Sequence, residues 1–203
     1  MNILEEAIVF ATKAHEGQMR KMAKTPYILH PVEVAAIIAT MTDDLETMAA
    51  GVLHDTIEDC DVDPREIKEK FGARVSALVQ SETEDRQSNR PAAETWIARK
   101  EESLLMLKHS KDKAVKIMWL GDKLSNIRSF YRAYQKDGNK IWEGLHQKDP
   151  KMQEWYYRTI AQYLYDDLGD TEAYKEYVRL VDGVFGEEQK PNDKVKKGRR
   201  IRK

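Results

Sequence analysis

The stretch Ala49-Ala50-Gly51-Val52-Leu53-His54-Asp55-Thr56-Ile57-Glu58-Asp59 decides how this chain is read. Small and apolar residues lead into it, and four polar side chains follow at helical spacing. His54 and Glu58 are four apart, as are Asp55 and Asp59, so the acidic pair falls one turn beyond the His-Asp pair and near the same face. His54 and Asp55 themselves point about a quarter-turn apart, so both can reach one ion when the helix packs beside it. Ala49, Ala50 and Gly51 let a neighbouring helix come close. The run is read as one helix, from about Leu45 into the acidic residues.

The same period governs the rest of the chain. Leu4, Ala7, Ile8, Ala11 and Ala14 form one stripe, stopped by Gly17. Pro31 suits the first turn of a second helix, with Val34, Ala35, Ile37, Ile38 and Met41 as its buried side. Asp63-Pro64-Arg65-Glu66 combines an Asp cap, a Pro at the first position and a Glu three residues after the cap. Gly72 closes that helix, and Ala73 to Val79 make a short further piece. Ser81 to Pro91 hold no large apolar side chain and read as an exposed loop. Helices resume over Ala93 to Leu107 and Lys113 to Tyr134, and two more follow the breaks at Gly138, Gly144 and Pro150. Strand-like alternation is missing, so the fold class is all-α: a helical core over 1-134, C-terminal helices over 135-185 packed on it, and a basic tail over 186-203 expected to be disordered.

The chain has 203 residues, enough for one domain with a real core. Lys and Arg number 34 against 35 Asp and Glu, so no global field favours nucleic acid or an anionic membrane. The single Cys60 excludes an intrachain disulfide framework and fits a reducing compartment. Met1 to Ala14 lack the basic start and long apolar stretch of a secretory signal, and no window reaches bilayer-spanning length. A soluble, cytoplasmic protein without membrane contact is expected. The tail from Lys194 to Lys203 is almost purely basic, but it lacks the interleaved aromatics that would support a nucleic-acid contact. A homodimer is compatible with the exposed aromatics and is not required by them.

Two distant segments complete the polar set. His30 precedes a proline, so it should be extended at a helix entrance and able to reach inward. Asp122, Asn126 and Ser129 share one face of a helix whose buried side is mostly Ile117, Leu120, Leu124 and Ile127. Gly121 costs that helix about 1 kcal/mol against Ala, which makes sense if something approaches its backbone. A His-Asp pair alone is more often a salt bridge or cap. Joined to a distant His and a distant Asp, it is a mixed imidazole and carboxylate set suited to a divalent transition ion that keeps room for water and a phosphate oxygen. Elsewhere His15 reads as a packing or supporting residue, and His109 and His146 receive no role. Gln18-Met19-Arg20-Lys21 is either a solvated turn or a base-stacking Arg beside a phosphate-binding Lys. Arg99-Lys100 is ambiguous in the same way, and Trp155-Tyr156-Tyr157 reads as core.

These segments together resemble the RelA/SpoT-type hydrolase domain, a member of the HD superfamily. Phe10 to Lys21 and Pro26 to Ala35 resemble its opening, Ala49 to Asp59 its central motif, and Gly121 to Arg128 its distal segment. The match spans roughly the first two-thirds of the chain and is most similar to the single-domain small alarmone hydrolases. The resemblance implies an HD-domain helical bundle and a manganese-dependent enzyme that removes the 3′-pyrophosphate of ppGpp or pppGpp. By motif position His30, His54, Asp55 and Asp122 would hold Mn2+, and Glu58 and Asp59 would activate or orient water. Arg20 would stack on guanine, Lys21 would meet phosphate, and Asn126 would contact the nucleoside. Lys100 and Arg99 would answer the leaving-group charge.

The chain departs from that pattern in places. Met22-Ala23-Lys24-Thr25 lacks a glycine often found after the Arg-Lys pair, and Gly121 replaces a common alanine. Gln80 to Arg99 is only loosely similar, while Trp119 and Tyr131 to Tyr134 alter the collar of the distal helix. These changes spare the metal set and fall on expected substrate walls. The competing readings are an HD phosphohydrolase for another nucleotide such as NADPH, and a nucleotide-binding regulatory module without turnover. The intact Glu58-Asp59 pair argues against the module.

Overall fold

The computed structural model describes residues 1–20, 24–84 and 91–186; Lys21 to Ala23, residues 85–90 and everything beyond Gly186, the basic tail included, lie outside the described residues. Helices follow one another throughout: α1 (Ile3–Ala14), α2 (Leu29–Ile38), α3 (Leu45–Leu53), α4 (Thr56–Cys60), α5 (Pro64–Gln80), α6 (Ala92–His109) and α7 (Lys113–Asp137). A 3-10 stretch over Gly138–Gly144 leads into α8 (Pro150–Leu168) and α9 (Glu172–Phe185). No strand forms among the described residues; Met19 and Pro26 make one isolated antiparallel bridge.

Short polar side chains start most of these helices. The Asn2 side chain caps α1 in a reciprocal capping box with Glu5. Asp44, Asp63, Asp112 and Asp149 cap α3, α5, α7 and α8, and Thr171 caps α9, each accepting a first-turn amide. Pro64 and Pro150 occupy the first turns, where a missing amide proton costs nothing. Gly72 breaks α5 with φ 90°, a left-handed conformation that only glycine adopts without strain.

The packing sets α2 against the two helices that place the rest of the polar set. This helix lies against both α3 and α7, while α1 packs on α3, and α9 packs on α7 and α8. Gly51 and Gly121 are the points of closest approach. A β-carbon on Gly51 would meet Ile38 Cδ1 at 2.3 Å, and one on Gly121 would meet Ile38 Cγ1 at 3.0 Å and the Val34 carbonyl oxygen at 3.4 Å. The element that approaches the backbone at Gly121 is therefore α2. Farther out, Trp142 stacks on Phe185 with ring centroids 5.6 Å apart, fastening the 3-10 stretch to α9. Tyr156 and Tyr157 are buried, in keeping with their reading as core.

Three expectations need correction. His30 is not extended before its proline but helical, inside the first turn of α2, which starts at Leu29. The helix from Leu45 does not run into the acidic residues: α3 ends at Leu53, and His54 and Asp55 occupy a break before α4. The His54 ring takes the Gly51 carbonyl at 2.8 Å, and the Thr56 hydroxyl takes that of Leu53 at 2.7 Å. Those are the acceptors a continuous helix would offer to the amides of residues 55 and 57. The connection after α5 is also not simply exposed, because the Glu82 and Glu84 side chains turn inward at 4 % and 9 % exposure.

Candidate metal centre

Three elements deliver the polar cluster. His30 sits in the first turn of α2, His54 and Asp55 in the break after α3, and Asp122 on α7, one residue past Gly121. His30 Nε2 lies 3.1 Å from Asp122 Oδ1 and 3.6 Å from Asp55 Oδ2. His54 Nε2 lies 3.0 Å from Asp55 Oδ2 and 3.6 Å from Asp122 Oδ1. One donor atom each from His30, His54 and Asp122 fall within 4.8 Å of one another, close enough to share an ion. Both imidazoles and Asp122 are buried, and Asp55 is mostly so.

The surroundings fix how each imidazole faces. The Gly51 carbonyl can only accept, so His54 Nδ1 carries a proton and Nε2 faces the two carboxylates. Ser125 Oγ donates to Glu33 Oε2 at 2.7 Å and so accepts from His30 Nδ1 at 2.8 Å, leaving His30 Nε2 to face them too. Arg128 anchors Glu33 at 3.1 Å and pairs with Glu176 of α9 at 2.7 Å. His30 Nε2, His54 Nε2, Asp55 Oδ2 and Asp122 Oδ1 thus converge, and His54 Nε2 is buried without a hydrogen-bond partner. Such a set fits a divalent cation held by imidazole nitrogen and carboxylate oxygen.

The electrostatics agree that this centre favours positive charge. Burial lowers the pKa of His30. Burial also opposes charge on His54, yet Asp55 and Asp122 outweigh it and hold that imidazole well above its ordinary value. Asp55 and Asp122 stay below the usual carboxylate range despite their burial, drawn down chiefly by His54 and by Lys123 respectively. Lys123 contacts Asp122 Oδ2, so Oδ1 is the oxygen turned to the imidazoles.

Around this centre the other expected residues take varied places. Asp59 Oδ2 lies 3.1 Å from the Tyr27 hydroxyl, which also stands 2.7 Å from Asp55 Oδ2. Glu58 Oε2 accepts the Glu84 amide at 3.4 Å. Arg20 lies over the Tyr27 ring, 5.5 Å from its centroid, and donates to Asn126 Oδ1 at 3.0 Å; Asn126 in turn donates to Asp122 Oδ1 at 2.6 Å. Arg99 and Lys100 point inward against Glu84, unlike Glu101 and Glu102, which lie on the outer side of α6. Ser129 faces Arg132 rather than the cluster. His15 is buried, stacked on Tyr27 and 2.9 Å from Gln18 Oε1, a supporting place. His109 and His146 stay outside the cluster, and Lys21 lies outside the described residues.

Three neighbours escaped the sequence reading. Tyr27 is an aromatic three residues before His30, with nothing in the pattern to mark its hydroxyl. Glu82 and Glu84 lie in a segment without apolar period; the one signal was two carboxylates at i and i+2 ahead of the cationic pair Arg99-Lys100. Both Glu82 oxygens are buried without a hydrogen-bond partner, with Lys123 Nζ 3.8 Å away, and burial pushes this carboxyl up to about 7.

The chain belongs to the HD-domain family, whose model matches residues 7–150. It is 37% identical over 133 residues to the zebrafish (Danio rerio) guanosine-3′,5′-bis(diphosphate) 3′-pyrophosphohydrolase MESH1, covering 64% of this chain and 70% of that protein. It is 36% identical over 138 residues to the Aquifex aeolicus guanosine-3′,5′-bis(diphosphate) 3′-pyrophosphohydrolase, covering 68% of this chain and 19% of the relative. The chain therefore spans about a fifth or less of the first curated relatives it matches. A crystal structure from Listeria monocytogenes EGD-e superposes with a TM-score of 0.68 at 27% identity, over 78% of this chain and 99% of that one. A metazoan ortholog of SpoT that hydrolyzes ppGpp shares the fold, with a TM-score of 0.70 at 22% identity over 90% of this chain and 94% of that one. No described helix is long and apolar enough to cross a membrane.

Proposed function

We propose that the chain hydrolyses the 3′-pyrophosphate of ppGpp and pppGpp, releasing pyrophosphate with GDP or GTP. The observation that carries this reading is the convergence of His30, His54, Asp55 and Asp122 with their ring nitrogens and carboxylate oxygens turned inward. The names of the relatives support the substrate class.

In this reading His30, His54, Asp55 and Asp122 hold Mn2+. When bound, the ion lowers the pKa of water and offsets phosphate charge. The chain's own groups do the rest. Asp59 and Glu58 orient the attacking water and take its proton, with Asp59 steadied by Tyr27. Arg20 presents its guanidinium plane to the guanine, Asn126 contacts the nucleoside, and Lys21 meets phosphate. Arg99 and Lys100 counter the charge on the released pyrophosphate. Residues 1–134 form the catalytic core and 135–185 brace it, in a cytoplasmic protein able to form a homodimer.

The position of cleavage tests the reading. With manganese and pppGpp, the expected products are GTP and pyrophosphate in equal amounts. Release of single phosphates, or loss of 5′ phosphates, would contradict it.

A further inference from the structure

The Glu84 carboxylate lies between two buried cations. Its Oε2 lies 2.6 Å from Arg99 Nη1, its Oε1 meets Lys100 Nζ, and all three side chains are at least four-fifths buried. Both cations also have contacts apart from Glu84. Arg99 also donates through Nε to Thr95 Oγ1 at 3.2 Å and through Nη2 to the Ala92 carbonyl at 3.4 Å, both on its own helix. Lys100 rests over the Tyr156 ring, 5.0 Å from its centroid. Glu84, by contrast, lies outside any helix, on the connection between α5 and α6. Cations fixed by rigid elements and an anion carried on a connection make the anion the part that exchanges at least cost.

This pair also borders the metal centre. The Glu84 amide donates to Glu58 Oε2 at 3.4 Å, and the buried charge of Lys123, the residue in contact with Asp122, bears on both Glu84 and Lys100. The cation pair is thus linked through Glu84 to Glu58 and, electrostatically, to Lys123.

We infer that Glu84 is an internal placeholder for a diphosphate anion: it pairs with Arg99 and Lys100 until the diphosphate of the substrate or product displaces it. The consequence is selectivity, since the anion must compete with a tethered carboxylate. A diphosphate that engages both cations does so, and a single phosphate does so less well. The inference rests on the hydrolase reading for its location, but its test does not need turnover.

The experiment measures binding of inorganic pyrophosphate and of orthophosphate to manganese-loaded protein by calorimetry. Wild type is compared with Glu84→Gln, and with Glu84→Gln carrying Arg99→Ala. Glu84→Gln should bind pyrophosphate about tenfold more tightly than wild type, with a smaller gain for orthophosphate, and Arg99→Ala should cancel the gain. Should Glu84→Gln fail to fold, Glu84→Asp keeps the charge, shortens the reach and should give a smaller gain. Equal affinity in all variants would mean pyrophosphate is held by the metal alone and would overturn the inference. Weaker binding in Glu84→Gln would overturn it too, showing Glu84 to be a brace for the cations. Absence of ppGpp hydrolysis alongside tighter pyrophosphate binding would overturn the substrate reading and leave Glu84 as the diphosphate placeholder.

Discussion

Gly51 and Ile38 approach so closely that a β-carbon on the glycine would stand 2.3 Å from Ile38 Cδ1. This contact sets the distance between the helix that carries His30 and the one that ends at His54, and Gly121 sets the distance to Asp122 against the same Ile38 side chain. The metal centre is therefore spaced by two missing methyl groups on either side of α2.

Substitution at these glycines should separate their roles. Gly51→Val should destabilise the protein by about 1–3 kcal/mol through overpacking and should weaken metal binding, because any shift of α2 moves His30 away from His54. Gly121→Ala should be near neutral: its contact is looser, and the gain in helix propensity, about 1 kcal/mol, offsets the displacement of Ile38. Urea unfolding of both variants checks the ranking, which equal losses would contradict.

Tyr27→Phe removes the hydroxyl that stands between Asp55 and Asp59. Loss of a supporting hydrogen bond to a ligand carboxylate should lower metal affinity or kcat by about 10–100-fold. Thermal stability should change little beside that. A variant with wild-type metal affinity and wild-type kcat would remove Tyr27 from the site.

Lys24 holds φ at 50°, in the left-handed region, next to a turn whose ends are joined by the Arg20 amide and the Thr25 carbonyl at 2.8 Å. The Met22-Ala23-Lys24-Thr25 segment lacks a glycine, and the strain falls on Lys24. Lys24→Gly should stabilise the protein by about 0.5–1 kcal/mol, the strain relieved less the added freedom of the unfolded chain. A measured loss would contradict this reading.

Glu82 gives a pH dependence of definite sign. Its carboxyl is raised by burial to about 7, above its unfolded value, so its ionisation opposes folding. Its contribution is fully favourable below the unfolded pKa and is lost as pH rises towards about 7. Between pH 5 and pH 8 wild type should therefore lose about 1–3 kcal/mol that Glu82→Gln retains. Unfolding midpoints of the two proteins at both pH values test it; parallel slopes would contradict it.

Much of this arrangement was legible in the residues. The helical period marked the elements, Asp63-Pro64 marked the start of α5, and the small residues at Gly51 and Gly121 marked close approach. His30, His54, Asp55 and Asp122 stood out as a mixed imidazole and carboxylate set, and the resemblance gave them the metal role by motif position. The break at His54 was hidden because Thr56 and His54 cap carbonyls with side chains, an alternative that leaves the apolar period intact. Glu82 and Glu84 were hidden for a different reason. A stretch without apolar residues reads as exposed, and only tertiary packing against α6 and α7 turns those carboxylates inward.

The most direct measurement is pyrophosphate release from ppGpp by the purified manganese-loaded protein, beside GTP, NADPH and the Asp55→Ala variant. The expected result is rapid release from ppGpp alone, abolished by Asp55→Ala and by chelation of the metal. No release from ppGpp by protein with the metal demonstrably bound would contradict the assignment of this site to alarmone hydrolysis.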